Sequence, residues 1–149
     1  MKFSLNTTII KPENNEEVKS AVILLHGYGG DGKDISMLTL NWKRFLKNTV
    51  FLCPDAHEVC SINPLGFQWF DLNNEDLEYT LQESKKAENV LSSYIAEVSN
   101  YFNLEYSQIC LSGFSQGCMM SLKDGLTSEK EFSSIVPISG RIINNNDLS

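Results

Sequence analysis

Three features of the sequence predict an α/β fold built on a largely parallel sheet. Short runs of β-branched and aliphatic residues alternate with stretches whose apolar residues recur at three- and four-residue spacing. One run, Ala21-Val22-Ile23-Leu24-Leu25, is apolar throughout, as a strand covered by helices on both faces must be. Glycine-rich turns follow two of the runs, as strand-to-helix crossovers require.

Five segments read as strands: 3–10, 21–25, 49–53, 108–112 and 134–138. The first is polar from Asn6 to Thr8 and ends at Pro12, which suits an edge. The last would stand as an apolar edge with nothing paired beyond it. The sheet is therefore expected to lack its final strands and last helix. Ile35, Leu38, Trp42 and Phe45 form a helical stripe ending in basic residues. A longer helix is predicted from near Ser84, with Ala87, Leu91, Tyr94, Ile95, Val98 and Phe102 on its inner face. A third begins after Ser115 and runs to about Gly125, read as its C-cap.

The 149 residues suit one compact domain, 1–149, and the 42% hydrophobic content fills one core. Twelve Lys and Arg against 19 Asp and Glu give a net charge of -7, which disfavours nucleic acid or an anionic membrane as a partner. Neither a leader-like apolar run nor a stretch of about 20 apolar residues is present, so no membrane span is expected and the location is read as cytoplasmic. Cys53, Cys60, Cys110 and Cys118 show no paired spacing, and Cys53 and Cys110 fall in predicted strands as small hydrophobes. No cofactor and no metal is expected.

The loop after the second strand, HGYGGDGKD, satisfies G-x-G-x-x-G through Gly27, Gly29 and Gly32, with Asp55 about 20 residues further on. It also matches much of a phosphate loop through Gly27, Gly32 and Lys33. That match fails at Asp34, where a hydroxyl should hold magnesium, and Asp31 adds a second negative charge to the cradle. Nucleotide binding is thus a distant alternative. The stronger reading is a turn whose glycines let one backbone N–H, that of Tyr28, face a reacting oxygen.

The partner of that turn is Gly113-Phe114-Ser115-Gln116-Gly117, a G-x-S-x-G sequence between a strand and a helix. A serine on so tight a turn needs small residues two places to either side. Its hydroxyl then stands clear of the sheet at a helix N-terminus, where the Gln116 N–H and the helix dipole favour a developing oxyanion. Ser115 is accordingly the candidate nucleophile.

Taken in order, LLHGYGGDGKD, FLCPDA, QWFDL, LSGFSQG and PISGR resemble the phospholipase/carboxylesterase family of α/β-hydrolases, which includes acyl-protein thioesterases. The resemblance covers nearly the whole chain and implies an α/β-hydrolase fold acting on a small ester or thioester. It implies Ser115 as nucleophile, Tyr28 and Gln116 as oxyanion-hole donors and Trp69 as a wall of the site. A serine hydrolase of this order also needs an Asp or Glu and then a His after the serine. Here His26 and His57 both precede it. His26 is read as a brace for the loop, His57 as a solvated loop residue, and Asp124 and Asp147 as surface residues. The sequence therefore predicts an incomplete hydrolase that is inert or very weak alone. It would be completed by a second chain carrying Asp and His, or would be a catalytically dead remnant.

Overall fold

The computed structural model describes residues 2–144. A five-stranded sheet is formed by β1 (Thr7–Ile10), β2 (Ser20–Leu25), β3 (Thr49–Pro54), β6 (Ile109–Phe114) and β7 (Ser134–Ile138), in the order β1-β3-β2-β6-β7. β2 is central, parallel to β3 on one side and to β6 on the other, with Ala21 opposite Val50 and Ile109. β7 continues the parallel set beside β6, whereas β1 pairs antiparallel with β3. The expected edges, β1 and β7, are the edges found. β1 is shorter than predicted, because Phe3 leaves the sheet to pack edge-to-face on Tyr94.

β2 is buried on both faces, as its uninterrupted apolar run demands. Ala21, Ile23 and Leu25 join Val50, Leu52, Ile109 and Leu111 in a core closed by Ala87, Leu91, Tyr94, Ile95 and Val98 of α3 (Leu77–Phe102). Val22, Leu24 and Phe51 are buried as well but lie outside that cluster. α3 begins seven residues before the predicted Ser84, because Asp76 caps it by accepting the Glu78 N–H at 2.9 Å. Its first turns carry Leu77, Tyr79 and Leu81 but bury no residue before Ser84, so they lie outside the inward stripe that marks the rest of the helix.

Two further predictions are corrected. The stripe Ile35, Leu38, Trp42, Phe45 does not form one amphipathic helix. The segment folds as α1 (Gly32–Ile35), a 3-10 turn (Ser36–Leu38) and α2 (Thr39–Trp42), and its buried positions are Gly32, Ser36 and Thr39. Small residues face inward because Gly32 lies against the Cys53 carbonyl, where an added Cβ would come to 2.1 Å. The Ser36 hydroxyl donates to the Lys33 carbonyl and the Thr39 hydroxyl to the Ser36 carbonyl, bonds that compete with regular helix. Gly125, expected as a cap, lies inside α4 (Gln116–Thr127), where its missing Cβ makes room for Ile135. A small antiparallel pair, β4 (Glu58–Val59) with β5 (Phe67–Gln68), was not foreseen; two-residue strands leave no periodicity to read.

Candidate functional site

β6 and α4 meet at Ser115 with no loop between them. The turn forces Ser115 to φ 54°, ψ -112°, a conformation costing a non-glycine residue about 1–3 kcal/mol. Close approach explains the flanking glycines. A Cβ on Gly113 would lie 2.1 Å from the Gly117 carbonyl oxygen, and one on Gly117 would lie 2.1 Å from that of Leu25. The Ser115 N–H donates to the Ile138 carbonyl of β7 at 3.0 Å, and its carbonyl accepts from Met119 at 3.1 Å. Its backbone is therefore pinned from both sides. The side chain makes no capping bond and is half-buried at the start of a 12-residue helix.

The β2 loop passes directly beside it. A Cβ on Gly27 would lie 3.3 Å from the Ser115 Cβ, so the two glycine turns that the sequence sets apart converge here. Among the described residues, neither the Tyr28 nor the Gln116 backbone N–H donates to a protein acceptor. The Tyr28 hydroxyl is tied down by Asp71 Oδ1, to which it donates at 2.8 Å, and by Ser61 Oγ at 2.7 Å. The Asn73 N–H, then the Tyr28 and Ser61 hydroxyls, hold the Asp71 carboxyl below its ordinary range. Tyr28 is thus anchored through its hydroxyl, next in the chain to Gly27, which meets Ser115.

Gln116 and Trp69 work beneath the site. The Gln116 side chain accepts from the Trp69 N–H at 3.0 Å and donates to the Phe70 carbonyl at 2.7 Å, joining α4 to the segment after β5. Trp69 was expected as a wall of the site, but its ring is fully buried and stacks on His26 with centroids 5.8 Å apart. Its indole N–H donates to the His26 carbonyl. The tryptophan supports the loop from below.

His26 is the brace the sequence suggested. The Ala56 N–H donates to Nε2 at 2.9 Å, so Nε2 carries no proton and Nδ1–H donates to the Gly27 carbonyl at 2.7 Å. Burial pushes its pKa down, and both nitrogens are occupied, so His26 holds the loop as a neutral ring. His57 is exposed, with Nε2 3.6 Å from Glu58 Oε1. Among the described residues no imidazole or carboxylate bonds the Ser115 hydroxyl. Asp147 lies outside the described residues.

Asp124, expected at the surface, is only 4% exposed. It accepts a short hydrogen bond from Ser92 of α3, and burial raises its pKa to about 6. Nearby, Glu88 accepts from Thr127 and pairs with Lys85 and Lys123, so the α3–α4 seam is polar inside. A surface reading failed because this seam is set by partners from another helix.

Beside Ser115 a groove of about 410 Å³ is lined by Gly27, Tyr28, Ile35, Met37, Leu38 and Phe114 among others. Its walls are mostly apolar, and Asp31 and Asp34 are also among its lining residues. All four cysteines are free thiols; Cys118 packs under the turn against Gly140.

The phospholipase/carboxylesterase family model matches residues 6–149. The chain belongs to that family. Among curated relatives, acyl-protein thioesterase 1 of Schizosaccharomyces pombe is 29% identical over 149 residues, covering 94% of this chain and 63% of that protein. Its Candida albicans counterpart is 29% identical over 138 residues, covering 87% and 60%. The crystal structure of esterase PE8 superposes with a TM-score of 0.87 at 35% identity, over 99% of this chain and 68% of that one. The Bacillus cereus carboxylesterase shares the fold, with a TM-score of 0.72 at 16% identity. The α/β-hydrolase fold is thereby established, and the chain spans about 60% of the length of the curated relatives it matches. Among the described residues no helix is long and apolar enough to cross a membrane.

Proposed function

We propose that Ser115 is the nucleophile of a carboxylic ester or thioester hydrolase, with the Tyr28 and Gln116 backbone amides as its oxyanion hole. One observation supports this above the rest: a serine held at φ 54° where a strand turns into a helix, with a second glycine turn in contact with it. Attack by Oγ on a carbonyl carbon forms a C–O bond and drives negative charge onto the carbonyl oxygen. Two convergent amides and the N-terminus of α4 suit that charge, and each such donor is worth roughly 10²–10³ in rate. The apolar groove beside Phe114 suits the acyl portion. Trp69 and the Gln116 side chain are positioning groups for this arrangement.

The same step needs a base for the Oγ proton and a carboxylate behind that base. His26 is committed to the loop, His57 lies beside Glu58 and the Trp69 ring, and no histidine follows Ser115 in the 149 residues. We propose that these residues make up one incomplete domain. On its own the chain then retains only the oxyanion-hole share of catalysis, about 10³–10⁴ over water. Base and acid would come from further polypeptide.

The test fuses to this chain the part of esterase PE8 that the superposition does not cover. Turnover of a short aryl ester by the fusion, lost in Ser115→Ala, is the expected result. A folded fusion that is inactive, or whose activity survives Ser115→Ala, would end the nucleophile reading. A fluorophosphonate should label Ser115 of the unfused chain slowly; fast stoichiometric labelling would show that a base already acts on it. ATP or NAD binding lost in Gly27→Val but not in Ser115→Ala would instead favour the nucleotide alternative.

A further inference from the structure

The segment from Lys33 to Lys47 presents outward what helices of this kind usually bury. Met37 and Phe45 are 63% and 76% exposed, and Leu38, Leu40 and Leu46 are exposed with them. The cause lies in the packing described above: Gly32, Ser36 and Thr39 take the inward positions, so the large apolar side chains have no core to enter. Scattered exposed leucines are ordinary, but five large apolar residues within ten positions form a patch.

Charge gives the patch a direction. The chain carries -7 overall, yet this segment holds Lys33, Lys43, Arg44 and Lys47 against a single carboxylate, Asp34. The Arg44 guanidinium lies over the Phe45 ring, 5.1 Å from its centroid, so cation and apolar group project together. Lys11 joins Lys43, Arg44 and Lys47 around a hollow of about 180 Å³, which Glu13 and Glu16 also line. Lys43 pairs with Glu13 at 2.9 Å, leaving Lys11, Arg44 and Lys47 as the exposed cations of that hollow outside this pair. Apolar side chains flanked by Lys and Arg on short helical turns match the boundary between headgroups and acyl chains.

We propose that residues 33–47 dock the protein onto an anionic lipid surface. Local complementarity prevails over net charge because charges more than about 10 Å apart are screened at ordinary salt. Met37 and Leu38 belong both to the patch and to the groove that holds Tyr28 and Phe114. Docking therefore brings the Met37 and Leu38 side of the groove to the bilayer, while Asp31 and Asp34 of its lining disfavour deeper contact. α1 contacts β1, β2 and β3, whereas the open parallel edge of the sheet is β7. The proposal does not depend on Ser115 being reactive.

The experiment is co-sedimentation of the chain with vesicles of phosphatidylcholine alone or mixed with phosphatidylserine. Binding to the mixed vesicles only, reversed by high salt, is expected. Arg44→Gln and Lys47→Gln should each lower the partition coefficient roughly fivefold. Phe45→Ser with Leu46→Ser should lower it at least tenfold. All four positions are exposed, and thermal melts of the variants check that the fold is kept. Failure of the wild-type chain to sediment, equal binding to neutral vesicles, or unchanged binding by the variants would each overturn the proposal. So would a dimer in solution that Phe45→Ser dissociates, since the patch would then belong to a second copy.

Discussion

Residues 109–127 contain a parallel strand and the helix after it, and residues 32–47 follow another strand of the same sheet, yet the two obey different rules. In the first, backbone atoms approach so closely that the sequence has almost no freedom: a Cβ on Gly113 or on Gly117 would lie 2.1 Å from a carbonyl oxygen. In the second, one glycine is pinned against β3 and the rest is short helical turns with small residues inside. Steric necessity writes a legible motif. Loose packing writes an apolar pattern that imitates a buried helix without being one.

The largest effect that could break this contrast is at the elbow. Gly113→Ala should destabilise the chain by about 3 kcal/mol or more, measured by urea unfolding, because the clash is with backbone that cannot rotate away. A loss below about 1 kcal/mol would mean the turn is less constrained than its geometry indicates.

The next effect is in the α3–α4 seam, which follows the elbow. The folded pKa of Asp124, about 6, lies above that of an ordinary carboxyl, so folding favours the protonated form. Its stabilising contribution is full below about pH 4 and is lost as pH rises through about 6. Stability should fall by about 3 kcal/mol over that window, and Asp124→Asn, which keeps an acceptor for Ser92, should flatten the curve. A wild-type profile that rises over the window would contradict the sign.

At Ser115 the effect is smaller and opposite in direction. Ser115→Gly relieves the left-handed backbone and should stabilise the chain by about 1 kcal/mol, while abolishing covalent labelling. The smallest effect sharpens the other half of the comparison. Phe45→Ala should change stability by less than about 0.5 kcal/mol, as an exposed position does. A buried stripe residue would cost about 3–5 kcal/mol.

What was legible follows the same division. The strand Ala21–Leu25 and the stripe from Ala87 to Val98 could be read because burial on both faces, or on one helical face, leaves a pattern in residue order. The convergence of Gly27 and Ser115 could be anticipated because tight turns demand particular residues. The burial of Asp124 could not, since it depends on Ser92 and Glu88 arriving from another helix. Nor could the full burial of Trp69, which is fixed by His26 and Gln116 from opposite ends of the chain. Long-range partners leave no local trace.

The central place of β2 has a consequence for synthesis. Its neighbours β3 and β6 end at Pro54 and Phe114, so the most apolar strand leaves the ribosome long before both of its flanks exist. At ordinary elongation speeds the interval between Leu25 and Phe114 is roughly 4–18 s. For that time Val22 to Leu25 lacks its β6 flank and has at most β3 to pair with, so one edge stays open to chaperones and to other nascent chains alike.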